Sequence, residues 1–417
     1  MRLPWEGRGA TQPQSPYHAH TFFSVSYVRP HRRAGGPFPP NPLLSMTRSR
    51  TLLAVFAGAL AFAGCDAATD SATAPSADAR ATGSYIVVFK DGTGPARALA
   101  QRLAQGQGVT PTHVYENTIR GFAAQFSPQA AEALARNPNV AYVEADQTLT
   151  LARPGSGGGG GGAQTMPPGI VRVNGGVSGA GLRACVIDSG VDLDHPDLRV
   201  NTGLSRTFVS SGRDAQNADD GNGHGTHVAG TIAAVSNGIG VVGVAAGAEI
   251  VAVKVLNTQG SGAYSDVIAG VDYVGSGAAG CSVANMSLGG PVSDALDAAV
   301  VAASQNVRFA LAAGNESDNA ANHSPARANG PNIYTVSAVN ASDAFASFSN
   351  SGNPPIEVAA PGVSILSTWK GGGYNTISGT SMASPHVAGI LLLGAIRTDA
   401  RRATGDPDGN ADYIAIH

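Results

Sequence analysis

From Gln164 onward, short β-branched runs alternate with stretches rich in alanine and glycine; Ala248 to Val255, Val283 to Leu288 and Val307 to Ala312 are the clearest runs. This alternation constrains the fold more than any other feature. A strand that is apolar along its whole length is buried on both faces, and parallel neighbours need helical crossovers, so the pattern predicts an α/β domain with a buried parallel sheet. Ligands in such folds gather beyond the carboxyl ends of the strands. The residues that close each apolar run are therefore the place to look for chemistry. The 417 residues leave room for more than one domain, and a net charge of −3 without any Lys/Arg block excludes a nucleic-acid binder.

Four segments carry reactive groups at such ends. Ala184-Cys185-Val186-Ile187 closes on Asp188, and Phe309-Ala310-Leu311-Ala312-Ala313-Gly314 closes on Asn315. Asn222-Gly223-His224-Gly225-Thr226-His227 brackets His224 with glycines ahead of a small-residue helix. Gly379-Thr380-Ser381-Met382-Ala383-Ser384-Pro385-His386-Val387-Ala388-Gly389 runs from a loop into an apolar helix. Gly379 permits close backbone approach and Pro385 suits only a first helical turn, which places Ser381 at a helix N-terminus, where free N–H groups and the dipole favour an oxyanion. Taken singly, the aspartate is a turn former and the serine a helix cap. Together they supply an acid, a base, an amide and a hydroxyl.

With these motifs the chain resembles the subtilisin-like serine proteases over most of Gln164 to Gly389. Val186-Ile187-Asp188-Ser189-Gly190, His224-Gly225-Thr226-His227, Asn285-Met286-Ser287-Leu288-Gly289-Gly290 and Gly379-Thr380-Ser381-Met382-Ala383 carry the likeness. Ser347-Phe348-Ser349-Asn350 and Ser364-Ile365-Leu366-Ser367-Thr368-Trp369 are similar to the proteinase K branch. The resemblance implies a subtilisin-like three-layer α/β domain and an endopeptidase in which Ser381 attacks, His224 moves the proton and Asp188 orients the imidazole. The amide of Asn315 and the backbone N–H of Ser381 would bind the oxyanion. Ser261, Gly262 and Ser287, Leu288, Gly289, Gly290 would offer edge backbone to an extended substrate, and Ala312 to Gly314 would line the first pocket, which suits apolar or aromatic side chains. The likeness also implies a structural calcium held by Gln164, Asp197, Asn237 and the carbonyls of Val235, Ile239 and Val241, with a second site around Pro331, Ile333 and Glu357.

Ahead of this domain the sequence predicts several processed parts. Residues 1–45 read as an over-extended, disordered start. Residues 46–65 read as a signal peptide ending in a lipobox-like Phe62-Ala63-Gly64-Cys65, with Cys65 as the lipidation site, and 66–83 as a tether. Residues 84–147 are similar to the propeptide inhibitors of these proteases, a small α+β ferredoxin-like unit that templates folding and blocks the cleft. Its strands are expected at Tyr85 to Phe89, Gly121 to Phe126 and Val140 to Glu144, and its helices at Pro95 to Gln105 and Pro128 to Arg136. Residues 148–163 form a Gly-rich linker and processing region, cut between Leu149 and Arg153 to leave a loose glycine arm; the alternative, a cut before Ala163, would put glycines in the specificity pockets, which they fit poorly. Residues 164–394 are the peptidase, and 395–417 an atypical polar tail that reads as truncated.

Cys185 and Cys281 are expected as buried free thiols, His227 and His386 as packing residues, and His113, His195 and His323 as turn or surface residues. The protein so described is exported, either secreted or lipid-anchored at a bacterial envelope. It acts on proteins or peptides, with its own propeptide as intramolecular inhibitor. The competing expectation is an inactive subtilisin-like lipoprotein, a binding or scaffold module whose C-terminal core is incomplete.

Overall fold

The computed structural model describes residues 82–151, 158–159 and 162–417. The signal peptide, Cys65 and nearly all of the tether lie outside the described residues.

The small N-terminal unit is a four-stranded antiparallel sheet in the order His113–Tyr115, Gly121–Phe126, Gly83–Phe89, Val140–Ala145, with helices Ala96–Gly106 and Pro128–Ala135. Ser127 caps the second helix by accepting from Ala130 N at 3.2 Å, and Pro128 occupies the first turn, where its missing N–H costs nothing. The strand His113–Tyr115 is too short for its period to show in the sequence. Alternation along Gly83–Phe89 gives this sheet two apolar faces. Val87 and Phe89 pack with Leu99, Phe122 and Phe126, while Ile86 and Val88 belong to a cluster that continues into Val267, Ile268 and Val271 of the large domain. A unit with so little core of its own thus shares that of its neighbour.

The large domain is built on a parallel sheet in the order Glu249–Lys254, Arg183–Asp188, Val283–Met286, Arg308–Ala312, Ile333–Val339, Ile356–Pro361. Helices His224–Ala233 and Thr380–Leu393 pack together over one face; Tyr264–Gly275 and Asp294–Ala303 cover the other. The second strand in space is the first in sequence, so chain order reverses beside Arg183–Asp188. That reversal opens a crevice at the carboxyl ends, and the four reactive segments converge there.

Three expectations are corrected. Cys185 and Cys281 are not free thiols but a disulfide, with Cα atoms 5.7 Å apart. Cys185 pairs with Ala284 across neighbouring strands, which puts Cys281 within reach at the edge of that ladder, a proximity that spacing in sequence does not reveal. The segment after Gly394 is not simply a polar tail. Arg397–Arg402 is exposed, but Tyr413–Ile416 joins the main sheet beside Ile356–Pro361, burying Ile414 and Ala415; Ala415 lies in the cluster that holds Val387, Ile390 and Leu391 of the serine helix. That strand is only four residues long, too few for a legible pattern. The linker is also more ordered than expected, because Thr148–Thr150 forms a strand and Gly158–Gly159 pairs with Asn375 and Tyr374.

Candidate active site

Asp188 ends its strand fully buried, and both carboxylate oxygens accept from His224 Nδ1, at 2.8 and 3.0 Å. Since a carboxylate only accepts, Nδ1 carries the proton and Nε2 is left as the free base. His224 opens the helix His224–Ala233. Gly223 before it has φ +110°, and a Cβ on Gly225 would strike the carbonyl of Gly190, so only glycine lets the helix close on the strand end. Burial alone would depress the pKa of His224. The charge of Asp188, its hydrogen bond and the charge of Asp220 outweigh that and raise it.

Ser381 is the second residue of the helix Thr380–Leu393, and Pro385 lies inside the helix rather than in the first turn. The proline has no N–H for the carbonyl four residues back, which belongs to Ser381. Ser287 Oγ donates to that carbonyl at 2.7 Å instead and also meets Ser384 Oγ at 2.9 Å. The Ser381 hydroxyl donates to the carbonyl of Ser287 at 3.1 Å, and no hydrogen bond joins it to His224. The bond expected between His224 and Ser381 is thus not formed, as is common for such pairs before substrate binds. Asn315 Oδ1 accepts from Thr380 N at 2.8 Å and Thr380 Oγ1 at 3.1 Å, which fixes the amide and leaves its NH2 group available as a donor.

Ser287 to Gly290, Ala312, Gly314, Asn315 and Ser381 line one pocket with Thr150 and Leu151 of the processing segment. Thr148–Thr150 runs antiparallel to Ser261–Ala263, Leu151 N donates to Gly260 O at 2.9 Å, and Leu149 is buried beside Gly290. Ser261 and Gly262 thus present edge backbone, here to the chain itself. Gly290 exchanges its backbone bonds with Ser324, so this wall is stiffened from behind. Sequence reasoning missed Glu316 and His323, which line the same pocket.

Of the three histidines expected at turns or on the surface, His195 and His323 do lie at turns, whereas His113 stands in a strand. His323 bonds Asp318, His195 is buried with Nε2 3.0 Å from Gly373 O, and His113 meets Asp266 at 2.7 Å. That last contact joins the small unit to the large one, and others reinforce it. Asp272 accepts from Asn117 N and Thr118 N, both at 2.8 Å, while Glu144 and Asp146 accept from Ala295 N and Ser265 N at the starts of two helices. His227 and His386 are buried, each donating one ring N–H to a carbonyl, of Ile365 and Met382 respectively.

Around Gln164 Nε2 stand the carbonyls of Val235 at 2.8 Å, Ile239 at 3.0 Å and Val241 at 3.3 Å, with Asn237 Oδ1 at 3.3 Å. An amide has two N–H groups and cannot satisfy four acceptors. Asp197 Oδ1 is buried without a partner, while Oδ2 accepts from Val241 N at 3.0 Å. A converging set of oxygens with an unpaired buried carboxylate oxygen suits a hard cation. At the second region, Glu357 bonds Thr335 N at 2.5 Å and burial pushes it up to about 7, which disfavours the charged ligand that the site would need.

Fold and site together describe a serine hydrolase that holds a segment of its own chain in the cleft. Residues 179–397 match the subtilase family, and residues 84–152 match the peptidase inhibitor I9 family. The chain is 40% identical to the subtilisin-like serine protease AsES of Sarocladium strictum over 73% of this chain and 78% of that one. It is 41% identical to subtilisin E of Bacillus subtilis over 74% and 79%, and 38% identical to proteinase R of Parengyodontium album over 73% and 77%. A crystal structure titled as a cold adapted subtilisin-like serine proteinase matches with a TM-score of 0.50 and 46% identity, covering 55% of this chain and 84% of that one. The chain belongs to the subtilase family, as a serine endopeptidase with an I9 propeptide domain.

Proposed function

We propose that the protein is an exported, self-processing zymogen that cuts peptide bonds through Asp188, His224 and Ser381. The observation that carries this reading is the Asp188–His224 pair, with Nε2 left free, at a cleft along whose edge the chain lays Thr148–Thr150 as a substrate would lie. His224 Nε2 takes the Ser381 proton as Oγ attacks the carbonyl, and Asp188 stabilises the imidazolium that results. The Asn315 amide and Ser381 N–H receive the oxyanion. His224 then protonates the leaving amine, and water repeats the sequence to release the acyl group.

Ala312, Gly314 and Leu288 favour apolar or aromatic residues before the cut bond. Self-processing falls between Leu149 and Arg153. Gln164, Asp197, Asn237, Val235, Ile239 and Val241 would hold calcium, which would cross-link the loop after the histidine helix to the start of the domain. The Cys185–Cys281 disulfide supports export, since such bonds persist in oxidising compartments. Cys65 remains the proposed lipid anchor.

The test is expression from Met46 with calcium. Propeptide cleavage and fluorophosphonate labelling are expected, both lost in Ser381→Ala. A folded product that is neither cut nor labelled would sink the reading in favour of a binding module.

A further inference from the structure

The loop that delivers His224 is wired to a second buried carboxylate. Asp220 is buried and accepts five hydrogen bonds, from Ser189 Oγ at 2.9 Å, Asn222 N at 2.9 Å, Gly223 N at 2.8 Å, Thr226 N at 2.9 Å and Thr226 Oγ1 at 2.6 Å. Each of these groups donates. Thr226 Oγ1 accepts from Asp192 N at 2.9 Å and Ser189 Oγ accepts from Gly225 N at 3.0 Å, so both hydroxyl protons point to Asp220. An acceptor saturated by donors is an ionised carboxylate, and these donors oppose the burial and the Asp188 charge that push its pKa up. Its partners are the residue after Asp188 and the residues on both sides of His224, so one anion ties the acid and the base of the triad into one turn.

We propose that Asp220 is a positioning residue for the Asp188–His224 pair: it fixes the turn that sets the imidazole and places a second negative charge behind it. This rests on His224 being the base. The charge of Asp220 favours the imidazolium, adding to that of Asp188 and opposing the burial penalty on His224. Other charged or titratable groups face the same turn. Lys254 Nζ bonds the Ser189 carbonyl at 2.5 Å and Asp214 at 3.0 Å, Lys370 bonds the Gly221 carbonyl, Asp219 precedes Asp220, and His227 lies one helical turn on. Both lysines are spent on carbonyls or on Asp214, and the direct hydrogen bonds to Asp220 all come from neutral donors.

The experiment compares the acidic limb of kcat/KM, which reports the free enzyme's base, in wild type, Asp220→Asn, Asp220→Glu and Ser189→Ala. Asparagine removes the charge and turns an NH2 group against backbone donors. The limb should move to lower pH by about one unit, because the imidazolium loses a favourable neighbour, with kcat down about tenfold. Glutamate keeps the charge and should leave the limb in place. Ser189→Ala removes one donor and should lower kcat a few fold at unchanged KM and limb. If Asp220→Asn does not mature, the His224 titration is read by NMR on Asp220→Asn in the full Ser381→Ala chain, against Ser381→Ala alone, with the same downward shift expected. A limb or titration that stays put in Asp220→Asn overturns the proposal. A wild type without activity, or His224→Ala that keeps it, instead overturns the triad on which it rests.

Discussion

The two halves of the cleft are held in opposite ways. On the acid–base side, Asp188 and His224 sit buried among charged side-chain hydrogen bonds that leave little freedom. On the nucleophile side, Ser381 and Asn315 are held by backbone carbonyls, hydroxyls and glycines, and the Ser381 hydroxyl faces Ser287 rather than His224. In the proposed mechanism the first half holds a charge that appears in the transition state, which favours fixed electrostatics. The second must admit a chain, which favours small residues and neutral partners that can exchange. On that mechanism proton handling is preorganised, whereas the alignment of the proposed nucleophile is left to the occupant of the cleft.

Substitutions test this contrast in decreasing order of effect. Ser381→Ala should reduce kcat/KM by at least about ten-thousandfold with an unchanged thermal midpoint, measured on a peptide anilide. Asn315→Ala should cost about a hundred- to a thousandfold in kcat with little change in KM, the cost known for a subtilisin oxyanion amide. An equal loss in KM would mean that Asn315 merely shapes the pocket. Asp272→Ala removes the acceptor for the Asn117–Thr118 turn and should speed departure of the cleaved propeptide by about tenfold or more, followed as the lag before full activity. Chelating calcium, or Asp197→Asn, should lower the thermal midpoint by roughly 5 to 10 °C, and the two effects should not add.

The smallest effect concerns acid. Burial pushes His227 down to about 3 and His386 down to about 4. The unfolded chain binds protons at these positions below about 6.5 while the folded one does not, so stability falls as pH drops from about 6.5 towards 4. His386→Gln should flatten that slope in denaturant titrations, and an unchanged slope would locate the acid sensitivity elsewhere.

Much of this was legible because the chemistry is written in contiguous motifs. Asp188, His224, Asn315 and Ser381 each end an apolar run or open a helix, and the parallel sheet follows from runs such as Val283 to Leu288. What escaped the sequence depends on distant partners. Cys185 and Cys281 are far apart along the chain, and Tyr413–Ile416 has too few residues to show a period. Pro385 looked like a first-turn residue because the compensating Ser287 hydroxyl comes from another strand end. His113 reads as a turn or surface residue because its partner, Asp266, is brought to it only by the fold, and the burial of His195 likewise depends on distant Gly373.

The strand Thr148–Thr150 along Ser261–Ala263 has a consequence for dilution. While the chain is intact, that segment meets its cleft as a tethered ligand, at an effective concentration of about millimolar for a short link. Once a bond after it is cut, the same contacts become bimolecular, and the inhibitor is held only as tightly as total protein concentration permits. A crowded compartment would keep cut molecules silent, and release into a large volume would itself switch them on.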